Sequence, residues 1–377
     1  MRTIGIDIRL IGKKRTGDET VFFNLTKYCL KQDTDNRYRL FTDLKEPNEL
    51  ALLQGRLECI GNPRVEFISI PVMNRFGWNF IGLPRAIRRH PVDVYHTQYI
   101  APFFLPRNVS LFTHVHDLSF LAHPEWIHWK DRLFLSALMP RSFKRTTRFL
   151  VPSRFTRAEL MRFAGVSREK ISIIPNAISE EWYSQISAEE TQSIKEKYSL
   201  PKNYFVSVGT LQPRKNIPFL MEAFENFRMK YPEVSLVLVG NVHGQNVDAW
   251  VKKAKEDRAS GVIFPGYLSE RELRAIVAGG VAFVFPSLYE GFGIPILEAF
   301  AVGTAAAVSD IAAFREVAGE SVVYFDPASL AEAENALYTL FIDEEKRRHL
   351  ALAGKKHLEH FSWKQSAERL IVLYSQS

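Results

Sequence analysis

Short apolar runs alternate with amphipathic helical patterns along most of this chain, and this alternation is the strongest constraint on its fold. Residues 3–8, 110–115 and 204–209 are such runs, each with the length and apolar content of a buried strand. Helical patterns follow them, and strands separated by helices are typical of βαβ units in a parallel sheet. A chain of 377 residues is long enough for two domains of this kind. We therefore predict an α/β protein with two parallel-sheet domains.

The predicted boundary between the domains is a polar, Glu-rich stretch without a strand pattern, residues 181–201. Residues 1–180 form the first predicted domain, whose last strand covers residues 171–176. Residues 202–361 form the second predicted domain. Residues 362–377 have the pattern of a final amphipathic helix.

One segment, residues 285–302 with the sequence FPSLYEGFGIPILEAFAV, combines the features of an anion site. It starts as the end of an apolar strand, crosses a glycine-rich turn and becomes a helix near Pro295, a residue suited to a first helical turn. Free backbone N–H groups and the helix dipole favour a phosphate there. Glu290 and Glu298 add carboxylates, which accept hydrogen bonds from sugar hydroxyls. A diphosphate joined to sugars fits this pattern; an ordinary strand–turn–helix unit with solvated Glu residues is the structural alternative.

A second charged pair follows the strand predicted at residues 204–209. Arg214 and Lys215 come after a proline and directly before a predicted helix. A guanidinium fork and an ammonium group at the end of a strand suit a diphosphate. Such pairs are usually surface charge, so this pair alone is a weak indication of an anion site.

Two histidines and an aspartate mark the end of the strand predicted at residues 110–115. His114, His116 and Asp117 stand where an α/β sheet places its ligands. Alternate strand residues share a face, so these side chains could bind zinc. No second group of ligands is evident in the sequence, and histidines of this kind are more often structural. The metal and structural interpretations both remain open.

Two motifs resemble those of a known family. The segments EGFGIPILE, from Glu290 to Glu298, and VGTLQPRKN, which contains Arg214 and Lys215, are similar to signatures of retaining glycosyltransferases of the family 4 type. The resemblance runs in order along nearly the whole chain. It implies the GT-B architecture, in which two Rossmann-like domains face a central cleft and a C-terminal helix crosses back to the first domain.

The resemblance also implies roles for individual residues. Arg214 and Lys215 would neutralise the charge that grows on the departing diphosphate, as electrostatic catalysis requires. The backbone at Phe292, Gly293 and Ile294 would help to bind this group. No metal or cofactor is implied beyond the nucleotide-diphosphate sugar that serves as substrate.

The family pattern assigns the sugars to three other side chains. Glu298 would hold the ribose, Glu290 the hydroxyls of the transferred sugar, and His116 the same sugar near its reacting carbon. The last assignment is a third interpretation of His116, besides the metal and structural ones.

Two loops would complete the donor site by the same resemblance. Relatives carry a glycine-rich turn within residues 10–20, of which this chain keeps Gly17, flanked by the acidic Asp18. In the loop of residues 262–268, the backbone at Tyr267 and Leu268 would lie against the nucleotide base.

The expected reaction is transfer of a sugar to a glycan or lipid-linked acceptor in surface polysaccharide assembly. The motif type favours mannose, with GDP-mannose as the first donor and a UDP-sugar as the alternative. Two other classes remain: a metal-dependent hydrolase that uses His114, His116 and Asp117, and a non-catalytic protein that binds nucleotide sugars. A phosphorylase-like enzyme would need a pyridoxal-binding lysine that the sequence does not reveal.

The net charge, the targeting signals and the cysteine content indicate where the chain is located and which partners it binds. The net charge of +7 comes from an excess of Lys and Arg in residues 1–180, which favours an anionic partner or membrane surface. Residues 126–148 form a basic amphipathic pattern that suits a membrane-surface helix and equally a core-packed helix. No nucleic-acid recognition motif, signal peptide or membrane span is evident. Two cysteines without metal spacing suit a reducing compartment, so we expect a cytoplasmic protein, compatible with peripheral contact at the inner face of the membrane.

Overall fold

A computed structural model of the chain describes residues 1–12, 17–71, 75–127, 129–240, 261–266 and 268–377. These residues form two compact units. The first unit comprises Met1–Leu118, Lys130–Ala177 and Phe361–Ser377; the second comprises Ser119–Trp129 and Ile178–His360. Each unit is built around one parallel sheet, as the alternating pattern predicts.

The sheet of the first unit has seven strands among the described residues, in the order β3-β2-β1-β4-β5-β6-β7. Every pair is parallel. The strands are β1 (Thr3–Asp7), β2 (Arg37–Thr42), β3 (Val65–Ser69), β4 (Val94–Gln98), β5 (Ser110–His114), β6 (Arg148–Val151) and β7 (Ile171–Ile173). The helices of this unit include α1 (Gly17–Gln32), α2 (Pro47–Arg56), α3 (Arg75–Gly77), a π-helix (Trp78–Gly82) and α4 (Leu83–Arg89).

Between β5 and β6 lie α5 (Ser119–Ala122) and a 3-10 turn (Pro124–Trp126), which group with the second unit, and then α6 (Trp129–Arg145). Helix α7 (Arg154–Ala164) and a 3-10 turn (Arg168–Lys170) follow β6 in the first unit. Ser153 caps α7 by accepting a hydrogen bond from the backbone N–H of Thr156, which satisfies one of the free donors at the start of the helix. The capping role matches the position of Ser153 before an amphipathic run.

The sheet of the second unit has six strands among the described residues, in the order β10-β9-β8-β11-β12-β13, also parallel. The strands are β8 (Tyr204–Val208), β9 (Ser235–Val239), β10 (Val262–Ile263), β11 (Ala282–Phe285), β12 (Ala306–Ser309) and β13 (Val323–Phe325). The helices include α8 (Ala188–Lys197), α9 (Ile217–Arg228), α10 (Glu270–Ala278), α11 (Ile294–Ala301), α12 (Ala312–Ala318), α13 (Leu330–Ile342) and α14 (Glu344–His357). Short 3-10 turns cover Glu180–Tyr183, Pro213–Lys215 and Leu358–His360.

Both sheets reverse their strand order at one point, and that point determines where a ligand binds. The reversal lies between β1 and β4 in the first unit and between β8 and β11 in the second. The connections on the two sides of such a reversal diverge, which leaves a crevice at the carboxyl ends of the strands. The loops after β8 and β11 carry the predicted phosphate-binding residues, so the fold brings these loops together.

The last helix, α15 (Trp363–Ser375), belongs to the first unit. It packs against α1, and the hydroxyl of Ser366 donates a 2.6 Å hydrogen bond to the carbonyl of Pro175. Tyr374 is fully buried, and its hydroxyl lies 2.7 Å from Nδ1 of His96. The predicted return of the C-terminal helix to the first domain is therefore confirmed.

Two segments differ from the sequence-based expectation. β6 was not expected, because its four residues RFLV directly follow a basic helix and are too short to show a period. Residues 181–201, predicted as a linker, contain part of a 3-10 turn and the whole of α8, and they group with the second unit. In the part of the chain that the structure describes, no helix is long and apolar enough to cross a membrane.

Candidate functional site

The second unit places three charged side chains together at the switch point of its sheet. The carboxylate of Glu290 is buried, with 7% of the residue exposed. Its Oε2 accepts a 2.6 Å hydrogen bond from Nη1 of Arg214, and its Oε1 accepts one from Nζ of Lys215. The hydroxyl of Ser287 donates to the same Oε1 at 3.0 Å. We call these four residues the charged cluster.

Backbone contacts fix the two loops that carry the charged cluster. The N–H of Leu288 donates a 2.8 Å hydrogen bond to the carbonyl of Arg214. In the opposite direction, Nη1 of Arg214 also donates to the carbonyl of Tyr289 at 3.3 Å. The loop after β8 is therefore joined to the loop after β11 by main-chain as well as side-chain bonds, which limits the freedom of both cations.

The pKa of Glu290 shows that the two cations dominate its surroundings. Burial alone would raise this pKa, but Arg214 and Lys215 lower it, by their charges and by their hydrogen bonds, to about 2. Glu290 is thus a carboxylate throughout the physiological pH range. It does not carry a proton that it could donate as a general acid.

Lys215 is the more enclosed of the two cations. It is 8% exposed, and its Nζ lies 4.5 Å from the centroid of the Phe285 ring, within the range of a cation–π contact. The side chain of Arg214 is 21% exposed. Two cations and one carboxylate leave one positive charge in excess within the cluster, which suits an anionic ligand.

The glycine turn after Glu290 has the predicted geometry. Gly293 has a φ of 113° and stands directly before α11, which begins at Ile294. A Cβ at Gly293 would lie 2.9 Å from the ring of Phe314, so both the backbone angle and the space require glycine. Pro295 in the first turn of α11 has no N–H, and the N–H of Ile296 donates to the carbonyl of Gly293 at 3.0 Å, so this turn offers an anion chiefly the positive end of the helix dipole.

The other predicted donor residues of the second unit that the structure describes lie around this turn or in the loop after β10. Phe292 is 5% exposed and Glu298, on α11, is 8% exposed. Leu268 is 8% exposed, and Tyr267 lies outside the described residues. Burial of Glu298 on the helix that follows the phosphate turn keeps it a candidate for the ribose contact.

The first unit places a column of three imidazole rings at the carboxyl end of its sheet. The rings of His114 and His116 stack with centroids 4.5 Å apart and planes 16° apart. The ring of His96, on β4, also stacks with that of His114, with centroids 5.7 Å apart. Phe22 of α1 contacts all three rings. We call these three histidines the histidine column.

His116 forms the outer end of the histidine column, with 8% of the residue exposed. Its Nε2 lies 3.2 Å from Oε1 of Gln98 and 3.9 Å from Oδ1 of Asp18. The carboxylate of Asp18 therefore has a partner in His116, although the sequence placed it only beside the predicted glycine turn. Gly17 is exposed at the start of α1, and residues 13–16 of that turn lie outside the described residues.

The inner histidines are held neutral by burial. Neither ring nitrogen of His114 has a hydrogen-bond partner among the described residues. Burial, with smaller contributions from the neighbouring histidines, lowers the pKa of His114 well below its usual range. Burial next to His116 lowers the pKa of His96 to about 3.

The structure does not support the zinc interpretation of this cluster. Stacked rings present their faces to one another, whereas a metal site needs ring nitrogens that converge on one point. No group of three or more His, Cys, Asp or Glu side chains suitable for a metal is found in the described part of the chain. The metal-dependent hydrolase that used His114, His116 and Asp117 is accordingly not supported.

Several members of these two groups were missed by sequence reasoning. Ser287, Gln98, His96 and Phe22 contact predicted residues, but only Ser287 is a near neighbour in sequence of the residue that it contacts. Gln98 could have been found, because it ends the strand that pairs with β5, where its partner in the register is His114. Phe22 had no comparable signal, since its contacts depend on how α1 packs on the sheet.

Comparison with known proteins identifies the family. The model of the glycosyl transferases group 1 matches residues 189–357, and that of Glycosyltransferase Family 4 matches residues 16–182. The O-antigen chain mannosyltransferase B of Escherichia coli is 30% identical over 297 residues, which span 77% of this chain and 76% of that protein. The serotype-specific mannosyltransferase WbdA of Escherichia coli is 30% identical over 236 residues, or 61% of this chain, but these span only 29% of that protein.

Solved structures show the same fold. HepE of Anabaena, in complex with UDP and glucose, superposes with a TM-score of 0.75 over 100% of both chains at 17% identity. WaaG, a glycosyltransferase involved in lipopolysaccharide biosynthesis, superposes with a TM-score of 0.74 over 99% of this chain and 100% of its own at 14% identity. The chain therefore belongs to the family 4 glycosyltransferases of group 1, and its two parallel-sheet units have the GT-B fold.

Proposed function

We propose that this glycosyltransferase transfers mannose from GDP-mannose to a glycan or lipid-linked acceptor of a surface polysaccharide, with retention of configuration and without a metal ion. The observation that carries the proposal is the charged cluster at the switch point of the second sheet. Mannose is favoured because the similar proteins named above are mannosyltransferases. A cytoplasmic location, where nucleotide sugars are available, is part of the proposal.

The charged cluster supplies what departure of a nucleoside diphosphate requires. Negative charge grows on the bridging oxygen as the bond to the sugar breaks, and fixed positive groups stabilise it without reorganisation. Arg214 and Lys215 are fixed by Glu290 and by the backbone bonds of their loops. The positive end of the α11 dipole adds to the attraction for the diphosphate. A divalent cation would duplicate charge that the chain already provides.

The role proposed for Glu290 is to accept hydrogen bonds from the transferred sugar while it holds both cations. A carboxylate offers about four lone-pair sites, so a sugar hydroxyl can bind beside the existing partners. The pKa of about 2 makes proton transfer by Glu290 unsuitable as a step. Its negative charge would also favour the oxocarbenium character that the sugar develops in the transition state.

Further contacts belong to the proposal. Glu298 holds the ribose of the nucleotide, and His116 forms a hydrogen bond with the transferred sugar; these are the roles that the family resemblance implies. Gly17 and the backbone at Leu268 remain proposed donor contacts. UDP-sugars are the competing donors, since HepE was solved with UDP and glucose.

The direct experiment is a transfer assay with the purified protein, a mannose-terminated oligosaccharide acceptor and a panel of GDP-, UDP- and ADP-sugars, with and without EDTA. We expect GDP-mannose to be the preferred donor, EDTA to leave the rate unchanged, and the product to carry the same anomeric configuration as the donor by NMR. A rate that disappears with EDTA and returns with Mn²⁺, or an inverted product, would contradict the mechanism. Preference for a UDP-sugar would contradict the donor assignment alone.

A further inference from the structure

A continuous group of aromatic rings reaches the surface of the first unit. Phe76 stacks on Phe80 with centroids 6.3 Å apart, Phe80 stacks on Phe103 at 4.2 Å, and Phe103 contacts Phe104 at 6.4 Å. Both ends of the group are partly exposed to solvent, Phe76 at 50% and Phe104 at 61%. Ile81, next to Phe80 in sequence, is 51% exposed. We call these five residues the aromatic patch.

The aromatic patch is not the scattered exposure that most proteins show. Single exposed apolar side chains are common, whereas contiguous apolar groups mark binding surfaces. Phe104 has a φ of 62°, a left-handed backbone conformation that is costly for a bulky side chain. Conformations of this kind persist where the surrounding structure enforces them, and they concentrate at functional surfaces.

Arginine side chains border the aromatic patch. A pocket of about 210 Å³ is lined by Phe103, Phe104, Arg107, Arg141 and Arg145, among others. The guanidinium of Arg145 donates to the carbonyls of Pro106 and Val109, which fixes the loop. Arg107 and Arg141 are exposed, and none of the described residues that line the pocket is acidic. The pocket is therefore positively charged next to an apolar surface.

The aromatic patch lies at the edge of the sheet that also carries His116, the residue proposed to contact the transferred sugar. Phe76 and Phe80 follow β3, and Phe103 and Phe104 follow β4, so both segments extend from the carboxyl ends of their strands. His116 follows β5 at the same edge of the same parallel sheet. A ligand bound to the aromatic patch would therefore lie at the same edge of the first unit's sheet as His116.

We propose that the aromatic patch and its arginine pocket form a docking surface for an anionic phospholipid bilayer. Phe76, Ile81 and Phe104 enter the boundary of the acyl chains, and Arg107 and Arg141 contact the lipid phosphates. Apolar side chains flanked by cations are the combination that binds such an interface. The relation to a lipid-linked acceptor rests on the proposed function, whereas binding to the bilayer does not depend on which sugar is transferred.

Of the residues proposed to contact lipid, only Arg141 lies within residues 126–148, where the sequence suggested a membrane contact. On α6, Met139 is 3% exposed and belongs to the core, although Leu133 on the same helix is 65% exposed. The helix is therefore partly a core helix, as one of the two sequence interpretations held. Its Arg141 takes part in the docking surface through its position over the ring of Phe103, 5.1 Å from the centroid.

The test is sedimentation of the full chain with vesicles of phosphatidylcholine, with and without phosphatidylglycerol, in the absence of donor and acceptor. We expect binding that requires phosphatidylglycerol and weakens with added salt. Phe104→Ser should weaken binding about tenfold, because an apolar side chain leaves the interface, and Arg107→Ala and Arg141→Ala about fivefold each. Binding of GDP, measured in parallel, should be unchanged, which shows that the variants are folded and separates this test from that of the proposed function.

Matched controls come from the second unit, where Met229 is 77% exposed and Arg348 is also exposed. Met229→Ser and Arg348→Ala should bind vesicles as the wild type does. Equal binding to neutral and anionic vesicles, or wild-type binding by all three patch variants, would overturn the proposal. So would binding of inorganic phosphate, measured by calorimetry, without any binding to anionic vesicles, because the ligand of the pocket would then be a free phosphate. A wild-type dimer that Phe104→Ser dissociates, with vesicle binding intact, would identify the patch as a contact between copies of the chain.

Discussion

The two units have the same kind of sheet with the same reversal of strand order, but they place opposite chemistry at the carboxyl ends of their strands. In the second unit, the charged cluster joins Arg214 and Lys215 to the buried carboxylate of Glu290. In the first unit, the histidine column stacks three imidazole rings on one another. The second site is held by charge, and the first by ring contacts and burial. A shared fold therefore does not determine the site, which each sequence builds separately.

The difference corresponds to two kinds of ligand. A nucleoside diphosphate carries a fixed charge, and a site for it benefits from cations that are already oriented. A sugar or glycan carries hydroxyl groups and apolar faces, for which neutral hydrogen-bonding and aromatic groups are suitable partners. On this view, the second unit recognises the donor and the first unit contributes to the sugar and acceptor.

The largest expected effect comes from the enclosed cation. Lys215→Ala should lower the turnover number by about 100-fold to 1,000-fold, the loss typical of removing one donor that stabilises transition-state charge. The fold should persist, since Arg214 still pairs with Glu290. Lys230→Ala, which removes an exposed lysine that pairs with Glu334, is the control and should retain wild-type turnover. Full activity of Lys215→Ala would remove the charged cluster from the mechanism.

Substitution of Glu290 should affect turnover, whereas substitution of Glu298 should affect the affinity for the nucleotide. Glu290→Gln should lower turnover about 100-fold because the sugar loses a charged partner. It should leave GDP affinity equal or higher, because Arg214 and Lys215 lose a competing anion. Glu298→Gln should instead weaken GDP as well as the intact donor, since it replaces an acceptor oxygen for the ribose with an amide. Calorimetry with GDP and initial rates measure the split; equal losses of GDP affinity in both variants would show that the two carboxylates are assigned to the wrong ends of the donor.

In the first unit, the outer histidine should affect chemistry without affecting the nucleotide. His116→Ala is expected to lower the turnover number roughly tenfold to 100-fold, in the range of a lost hydrogen bond to the reacting sugar, and to leave GDP affinity unchanged. A rate assay beside GDP calorimetry distinguishes the outcomes. If His116→Ala weakened GDP as much as Glu298→Gln, the division of labour between the units would be wrong.

The smallest expected effect is on the pH dependence of the free energy of unfolding. The pKa of His96, about 3, and the lowered pKa of His114 lie below the value of about 6.5 in an unfolded chain. The unfolded state therefore binds more protons as the pH falls below about 6.5, and the free energy of unfolding decreases. Glu290, with its pKa of about 2, loses its contribution only in stronger acid, below the unfolded value of 4.5. Between pH about 7 and about 5, the acid sensitivity should thus come from His96 and His114, with a contribution from His357, whose pKa burial also lowers, rather than from the charged cluster.

His114→Phe tests this assignment. Phenylalanine keeps an aromatic ring in the stack and removes two buried nitrogens that lack partners among the described residues, so stability at neutral pH should change little. Urea unfolding should show a weaker dependence on pH than in the wild type, with activity retained. The same pH dependence in both proteins would mean that other groups titrate in this range.

Much of the fold follows from local pattern, whereas the detail of the sites does not. The buried runs of β8 and β11 and the glycine turn at Gly293 are visible in the sequence because each depends on neighbouring residues. The contact between Arg214 and Glu290 joins residues 76 positions apart. No local pattern shows that the cations predicted to bind the diphosphate would be held by Glu290, the residue predicted to contact the sugar. The column from His116 to His96 likewise depends on the pairing of β4 with β5. β6 was missed because four residues are too few to show a period.

The central claim is that the charged cluster of the second unit binds the diphosphate of the donor. Calorimetric titration of GDP into the wild type, Arg214→Ala, Lys215→Ala and the control Lys230→Ala tests it most directly. A charge-assisted hydrogen bond is worth about 1.5–3 kcal/mol, so each cluster variant should bind GDP about tenfold to 100-fold more weakly, while guanosine without phosphates should bind all four proteins alike. Unchanged GDP affinity in both cluster variants would contradict the claim and place the diphosphate elsewhere.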